Sequence, residues 1–264
     1  MIIERLSVEN LRDGVFCAAA KPGSDEMYGQ FEAWLEGGKL RGLVARSDGR
    51  NVAGFVIYYP IEHAPLDIEG EGLYVVQCVF VKPEYQKTGI GKHLVEAAVA
   101  DARASGASGL AVEGFKSKTK DGFDFMPGAF FRHMGMVTGD SRDQGTIYYV
   151  SFGDGEDKPK YLEPSFNMPT ESPKVKIDIL DCRRCYVGIT NRNLIEAVLE
   201  QAAVDNVELV VHDQTTRDAI LDKGMSSGVF VDGKLTFFDG HISEDDVMNA
   251  IEVAMSAREK SMDK

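Results

Sequence analysis

The sequence predicts an α/β protein of the α+β type, in which a mixed central sheet flanked by helices is followed by a smaller α/β domain. Residues 73–81 are almost all apolar, as expected of a central strand that is covered on both faces. This stretch leads into a loop containing Gly89 and Gly91 and then into a helix with a regular apolar face. A cluster of prolines beyond residue 151 separates this part from a second patterned half.

The first half alternates short strands and helices, whose limits are marked by glycines, prolines and capping residues. Ser24 caps one helix, and Ser47-Asp48-Gly49 forms a hairpin turn between two strands. In chain order the predicted elements are a strand over 2–8, a helix over 9–20, a helix over 24–36, strands over 40–46, 52–59 and 73–81, a helix over 90–105, a strand over 110–112, a helix over 129–134 and a strand over 146–152.

Four of the chain's nine prolines fall within residues 151–174, and charged, proline-rich stretches act as extended spacers. We therefore predict a first domain over 1–152, a linker over 153–173 and a second domain over 174–264. The alternative is a long surface excursion of a single domain. The second half is predicted to contain a strand over 175–180, a helix capped by Asn191, a strand over 207–212, a polar helix ending at Leu221, a hairpin over 229–238 and a last helix from Ser243.

Composition argues against several functions. The net charge is −13 and the pI is about 4.9, so the chain repels phosphate backbones and nucleic acid is not expected as a partner. No apolar run approaches the roughly 18–20 residues that span a bilayer, and the N-terminus lacks the pattern of a signal peptide. We predict a cytoplasmic protein without a membrane partner. In that reducing compartment the four cysteines do not form a disulfide framework.

The loop between the apolar strand and its helix is suited to bind an anion. Two glycines at the start of a helix let the backbone approach a ligand closely, and the first turn leaves N–H groups without intrahelical acceptors. Together with the helix dipole, these groups favour a phosphate or pyrophosphate. The spacings of the Walker loop and of the dinucleotide-binding GxGxxG motif are both absent.

The order strand, Q-x-x-G-x-G, helix over residues 73–105 resembles the GNAT superfamily of acyl-CoA-dependent N-acetyltransferases. Residues 129–136 are similar to a later motif of that family, and the resemblance covers residues 1–152. It implies a GNAT-type fold with acetyl-CoA as the donor. The backbone of the strand residues would then contact the pantetheine arm at Val79, Phe80 and Val81. The pyrophosphate would be bound by the loop residues Gln86, Lys87, Thr88, Gly89, Ile90, Gly91 and Lys92.

The groups that move protons are harder to assign. Phe131 stands where many relatives have the tyrosine that protonates the leaving thiolate, and phenylalanine has no proton to give. The central strand also lacks a carboxylate that could act as a base. Four candidates remain, each of which also fits an ordinary solvated or structural role: Glu71, Glu113, His63 and Tyr28. Cys78 is expected to be a buried small hydrophobe, with an acetyl-cysteine intermediate as the alternative.

The second domain contains Cys182-Arg183-Arg184-Cys185 between a predicted strand and a helix. A helix N-terminus and two arginines lower the pKa of a thiol, and a thioredoxin-like fold has its C-x-x-C pair at this position. Residues 174–257 resemble that fold, except that Ser227 stands near the usual cis-proline. Cys182 and Cys185 are therefore redox candidates. The alternatives are an inert remnant and a zinc site that would need further ligands.

The layout of an acetyltransferase domain, a proline-rich linker and this second domain resembles the YoaP-like acetyltransferases. The leading prediction is an enzyme that transfers an acetyl group directly from acetyl-CoA to an amine of an unknown acceptor. One alternative is an acyl-CoA-binding sensor without turnover. Another is a thiol–disulfide or metal-handling protein centred on the two cysteines. No metal is predicted, and a homodimer is compatible with the sequence.

Overall fold

The computed structural model describes residues 1–116, 125–143, 145–153, 158–165, 172–201, 206–238 and 240–262. The chain divides into two compact units. The first consists of residues 1–19 and 28–162, and the second consists of residues 20–27 and 163–264. The domain boundaries derived from the proline content stay a prediction.

Up to residue 162 the described chain forms the strands β1 (Ile2–Arg5), β2 (Arg41–Arg46), β3 (Val52–Pro60), β4 (Ile68–Glu69), β5 (Leu73–Val81), β6 (Gly109–Phe115), β7 (Val137–Ser141), β8 (Gly145–Ser151) and β9 (Lys160–Tyr161). Its helices are α1 (Leu11–Gly14), α2 (Ser24–Glu36), α3 (Ile90–Ala104) and α4 (Gly128–His133). Seven strands form one sheet in the order β1-β2-β3-β5-β6-β8-β7, and β4 pairs with β9. Within the large sheet, β5 and β6 are parallel and the other neighbours are antiparallel. The predicted mixed α/β fold is confirmed.

Helix α3 covers one face of the large sheet. Its buried residues recur at helical spacing and pack in one apolar core with side chains of the strands. They are Ile90, Leu94, Val95, Ala98 and Ala102. Tyr58 of β3 belongs to the same core, so its neighbour Tyr59 points to the opposite face. There the ring of Tyr59 contacts Trp34 of α2, with 5.6 Å between the ring centroids.

The central strands β5 and β6 separate partway along their length. They pair in parallel at four positions, ending with Val76 opposite Val112. Beyond this pair, β5 continues along β3 and β6 continues along β8. The β3–β5 ladder also shifts register at Gln77, which forms a bulge. We call the position just beyond Val76 and Val112, where Gln77 and Glu113 lie, the fork.

Four elements of the first unit differ from the prediction, namely one helix and three strands. Residues 9–20 do not form one helix, because the non-helical ψ of 61° at Val15 separates α1 from a 3-10 turn, Phe16–Ala18. Strand β7 and the β4–β9 pair were not predicted. Strand β7 is mostly polar, and the other two contain only two residues each, so none has the apolar alternation that marks a strand.

Part of the predicted linker belongs to the first unit. Strand β9 pairs with β4, and Tyr161 and Leu162 are each only 8% exposed. The backbone N–H of Leu162 also donates to the carbonyl of Asp67 at 2.9 Å. Residues 154–157 and 166–171 of the predicted linker lie outside the described residues.

The second unit contains the strands β10 (Val175–Asp181), β11 (Val207–Asp213), β12 (Gly228–Val231) and β13 (Lys234–Phe237), and the helices α5 (Tyr186–Gln201), α6 (Arg217–Lys223) and α7 (Glu244–Met262). Its sheet has the order β11-β10-β12-β13, in which β10 and β11 are parallel and the other pairs are antiparallel. An apolar core combines alternate residues of β10 with one face each of α5 and α7, among them Ile177, Ile195 and Ile251.

Asn191 does not cap a helix, contrary to the prediction. Helix α5 already begins at Tyr186, and Asn191 lies inside it with only 9% of its surface exposed. Its side-chain amide donates to the carbonyl of Gly240 at 2.7 Å and accepts from the N–H of Ile242 at 3.3 Å. These long-range bonds explain why a residue type common at caps occurs in a helix interior.

Candidate active site

The glycine loop connects β5 to α3. After Val81 the chain forms one 3-10 turn, Pro83–Tyr85, and then enters the loop. Lys87 and Gly89 both adopt positive φ angles, of +62° and +89°. Positive φ suits glycine but strains a residue with a side chain. Gly89 thus turns the chain into α3 without strain, whereas Lys87 is held in a strained conformation.

Side-chain hydrogen bonds fix the shape of this loop. The amide Nε2 of Gln86 donates to the carbonyl of Val81 at 3.1 Å, and Oγ1 of Thr88 donates to the carbonyl of Tyr85 at 2.5 Å. All four residues from 86 to 89 are exposed. The loop therefore presents a fixed backbone to solvent.

The first turn of α3 supplies N–H groups for an anion. Gly89 is the N-cap, so the N–H groups of Ile90, Gly91 and Lys92 lie in a turn that offers them no intrahelical acceptor. The ammonium of Lys92 is exposed and lies 3.7 Å from Glu96, a surface pair that contributes little to stability. Backbone N–H groups at the positive end of a helix form a site suited to phosphate.

The predicted strand contacts lie beyond the fork. Val79, Phe80 and Val81 are half-buried and pair with β3, after β6 has separated from the other side of β5. A strand edge in this position can pair with an extended ligand. Cys78, expected to be buried, is half-buried.

A polar cluster lies on the β6 side of the fork. We call it the Glu113 cluster, and it consists of Asp67, Glu113, Asp140, Arg142 and Tyr161. Oε1 of Glu113 accepts hydrogen bonds from Oη of Tyr161 at 2.9 Å and from Nη2 of Arg142 at 3.2 Å. The same guanidinium contacts Oδ2 of Asp67 at 3.3 Å and lies 4.2 Å from the ring centroid of Tyr161. Asp140 accepts the backbone N–H of Tyr161 at 3.0 Å.

Burial and charge keep both donors to Glu113 protonated. Burial raises the pKa of Tyr161 above its usual range, and the nearby Glu113 carboxylate raises this pKa further. Burial by itself would lower the pKa of Arg142, but the charges of Glu113 and Asp67 outweigh this effect and raise it. The phenol and the guanidinium therefore donate to Glu113 throughout the physiological pH range.

Gly145 makes room for this arrangement. It lies opposite Phe115 in the β6–β8 ladder. A Cβ atom at this position would overlap Oε1 of Glu113 and lie 2.8 Å from Oη of Tyr161. Glu113 and Tyr161 can occupy their positions only because residue 145 has no side chain.

The other sequence-predicted candidates have different surroundings. Tyr28 is 2% exposed and donates its hydroxyl to the carbonyl of Val15 at 2.8 Å, which is a structural role. Glu71 precedes β5, His63 ends a 3-10 turn after β3, and both are exposed. Phe131 is fully buried in the apolar core. Of the four candidates, Glu113 is the one at the fork.

The two cysteines of the second unit differ in exposure. Cys182, just after β10, is 5% exposed, whereas Cys185, just before α5, is exposed. Arg183 between them has a positive φ of +50°, and its guanidinium lies 3.2 Å from Glu26, 3.7 Å from Asp181 and 3.6 Å from Asp213. Three carboxylates thus surround the charge of Arg183, one of the two arginines between the cysteines.

The described residues contain neither a metal-binding cluster nor a membrane-spanning helix. They contain no group of three or more His, Cys, Asp or Glu side chains that could hold a metal ion. Among the helices of this part of the chain, none combines the length and apolar character needed to cross a membrane.

Comparison with protein families gives a match for most of the first unit. Residues 8–120 match the model of the acetyltransferase (GNAT) family. The match includes β5, the glycine loop and α3, and it confirms the predicted resemblance over these residues, whereas the predicted later motif at 129–136 lies outside it. A relative named "Uncharacterized N-acetyltransferase YoaP", from Bacillus subtilis (strain 168), is 26% identical over 145 residues. These residues are 54% of this chain and 55% of the relative, so the likeness spans about half the length of each.

The solved structures that resemble this chain are more distant in sequence. A GNAT family N-acetyltransferase (YhbS) from Escherichia coli in complex with CoA is 18% identical, with a TM-score of 0.43 over 61% of this chain and 88% of that one. A GNAT family acetyltransferase from Brucella melitensis in complex with acetyl-CoA is 19% identical, with a TM-score of 0.37 over 60% and 95%. Sequence identities below 20% with TM-scores below 0.5 give no information on function.

Proposed function

We propose that this chain is an N-acetyltransferase that transfers an acetyl group from acetyl-CoA to an amine of an acceptor still to be identified. The observation that carries the proposal is the family match over residues 8–120, which contains the strand, glycine loop and helix suited to a pyrophosphate. The relative named as an N-acetyltransferase supports it.

Acetyl-CoA would bind along β5 and at the start of α3. The pyrophosphate would accept hydrogen bonds from the loop and helix residues 86–92. The amides of the pantetheine arm would pair with the backbone of Val79, Phe80 and Val81, as an added strand does. An arm in this position would bring the thioester to the fork.

Glu113 is the residue that we assign as general base. Transfer needs a neutral amine, a polarised carbonyl and a leaving thiolate that gains a proton. Glu113 takes a proton from the acceptor's ammonium group, and the freed nitrogen attacks the carbonyl carbon, which backbone N–H groups around Cys78 polarise. The C–S bond then breaks, the nitrogen gives its second proton to water, and the same water protonates the departing thiolate, so that the proton on Glu113 is the one released in net terms.

Acetyl-CoA binding and turnover test this proposal. We expect calorimetry to show binding, and we expect a panel of primary amines to include acceptors that accelerate loss of the thioester's ultraviolet absorbance. This readout avoids thiol reagents, which would react with the exposed Cys185. Binding without turnover on any amine would favour the acyl-CoA sensor, and absence of binding at millimolar acetyl-CoA would refute both.

For the second unit we infer a thioredoxin-like fold whose Cys182 and Cys185 interconvert between thiols and a disulfide. Support comes from the strand order β11-β10-β12-β13 and from a buried and an exposed cysteine just before α5. Equilibration with glutathione buffers, followed by mass spectrometry, tests this. A pair that stays reduced in fully oxidised glutathione would contradict the inference.

The proposal extends to the cellular location and the oligomeric state of the protein. We infer a cytoplasmic enzyme, for which fractionation of cells is the test. A homodimer is an open prediction, and the mass measured by light scattering in solution decides it.

A further inference from the structure

Tyr161 reaches the fork from outside the family-matched residues 8–120. Strand β9 pairs with β4 and thereby brings the Tyr161 hydroxyl to Oε1 of Glu113, at 2.9 Å. The backbone of Tyr161 is held as well, because its N–H donates to Asp140. Both ends of this residue are therefore fixed relative to the large sheet.

The contacts around Glu113 leave its carboxylate little freedom. Oε1 receives two hydrogen bonds, from Tyr161 and Arg142, and the guanidinium is in turn held by Asp67 and by the ring of Tyr161. Gly145 lies against the same oxygen, so closely that a Cβ at that position would overlap it. Only 15% of the Glu113 side chain is exposed. A carboxylate held in this way has a defined orientation, which a base needs in order to act on a bound amine.

We propose that Tyr161 is a positioning residue for the acetyl transfer, holding the Glu113 carboxylate in one orientation at the fork. This inference rests on the proposed function, in which Glu113 accepts the proton of the acceptor amine. Tyr161 does not itself touch the reacting atoms. Its hydroxyl stabilises the charged form of Glu113 through a hydrogen bond, and its ring supports Arg142, the second donor.

The competing explanation is that the cluster only anchors β9 to the sheet. Both explanations predict a loss of stability when the hydroxyl is removed. They differ in pH dependence, because loss of a donor to an ionised carboxylate raises the pKa of that carboxylate. In the part of the chain that the structure describes, the charged and titratable groups in contact with Glu113 or its partners include Asp67, Lys116, Asp140, Arg142 and Tyr161.

The test compares Tyr161→Phe with Tyr58→Phe in the full chain. Tyr58 is a matched control, since its buried hydroxyl donates to the carboxylate of Asp101 at 2.9 Å on the face covered by α3. We expect both variants to lower Tm. With an amine acceptor from the panel, we expect only Tyr161→Phe to shift the acid limb of the kcat/KM profile upward by about one pH unit. At pH values below this limb, kcat/KM should then be about tenfold lower than in the unaltered chain.

The outcomes separate this inference from the proposed function. Turnover with an acid limb that is unchanged in Tyr161→Phe would overturn the inference and leave the acetyltransferase intact. An equal shift in Tyr58→Phe would also overturn it. No turnover by the unaltered chain would refute both. Should Tyr161→Phe fail to fold, a fluorinated tyrosine at position 161, which donates more strongly, should move the acid limb downward.

Discussion

At the scale of single residues, the proposed chemistry depends on one oxygen atom. Oε1 of Glu113 receives hydrogen bonds from Tyr161 and Arg142, which come from different segments of the chain. A hydrogen bond to a charged group is worth more than one between neutral groups, about 1.5–3 kcal/mol. The pair of donors therefore stabilises both the folded cluster and the ionised carboxylate.

Gly145→Ala should disrupt this cluster. The added methyl group overlaps Oε1 of Glu113, so we expect a cost of about 1–3 kcal/mol in the free energy of unfolding and at least a tenfold loss of kcat. Urea unfolding and steady-state kinetics measure the two effects. Gly29→Ala is the control, because a Cβ there meets nothing within 4 Å and alanine favours its helix. Full activity of Gly145→Ala would argue against a role for the cluster.

Sequence reasoning named Glu113 but missed the residues that orient it. Glu113 directly follows the apolar residues of the predicted strand 110–112, so the sequence indicates a carboxylate at the end of a strand. Tyr161 lies among charged residues and prolines, a composition typical of a spacer, so nothing in the local pattern indicates its contact with Glu113. That contact depends on the pairing of β9 with β4, two strands of two residues each.

At the scale of elements, the junction of β5 and α3 is the part in which local sequence and structure agree most closely. The apolar run 73–81 forms β5 as predicted, and Gly89 has the left-handed conformation that a turn into a helix needs. The elements with no such pattern were missed. The first two residues of strand β7 are exposed, and the strand is stabilised by pairing with β8. This pairing depends on a distant segment, so the sequence of β7 alone does not indicate it.

Gly89→Ala should weaken acetyl-CoA binding. Alanine at a φ of +89° costs about 1–2 kcal/mol in the folded chain, and relief of this strain would distort the loop. We expect Kd for acetyl-CoA, measured by calorimetry, to rise about tenfold. Gly106 follows the other end of α3 and also has a positive φ, of +79°, so Gly106→Ala controls for strain alone. Equal effects on Kd would refute binding at the glycine loop.

The turn between β2 and β3 should be sensitive to acid. Hydrogen bonds from the backbone N–H groups of Asn51 and Arg50 lower the pKa of Asp48 to about 2. Because the folded pKa lies below the unfolded one of about 3.9, the contribution of Asp48 is present above that value and is lost as the pH falls through about 2. We expect Asp48→Asn to be less stable than the parent near neutral pH. The difference should shrink as the pH falls below about 4 and vanish only below about pH 2, and a constant difference would contradict the assignment.

At the scale of the whole molecule, acetyl-CoA should stabilise the first unit selectively. Trp34 is the chain's single tryptophan and is 4% exposed in that unit, so its fluorescence follows unfolding there. A donor concentration of about 100 times Kd should add about 2.7 kcal/mol to the free energy of unfolding. Acetylpantetheine, which lacks the pyrophosphate, should add much less. Equal protection from hydrogen exchange in β5 and β10 on donor binding would contradict a donor site confined to the first unit.

The pairing of β9 with β4 also decides where this chain can be divided or joined to another. A polypeptide shortened at residue 152 would keep all residues of the family match but would lose Tyr161, and with it the hydroxyl that donates to Glu113. A chimera that replaces the second unit would retain the complete Glu113 cluster only if the foreign sequence begins after Leu162. In grafting experiments on this protein, the unit that carries the proposed site therefore extends beyond the residues that the family pattern covers.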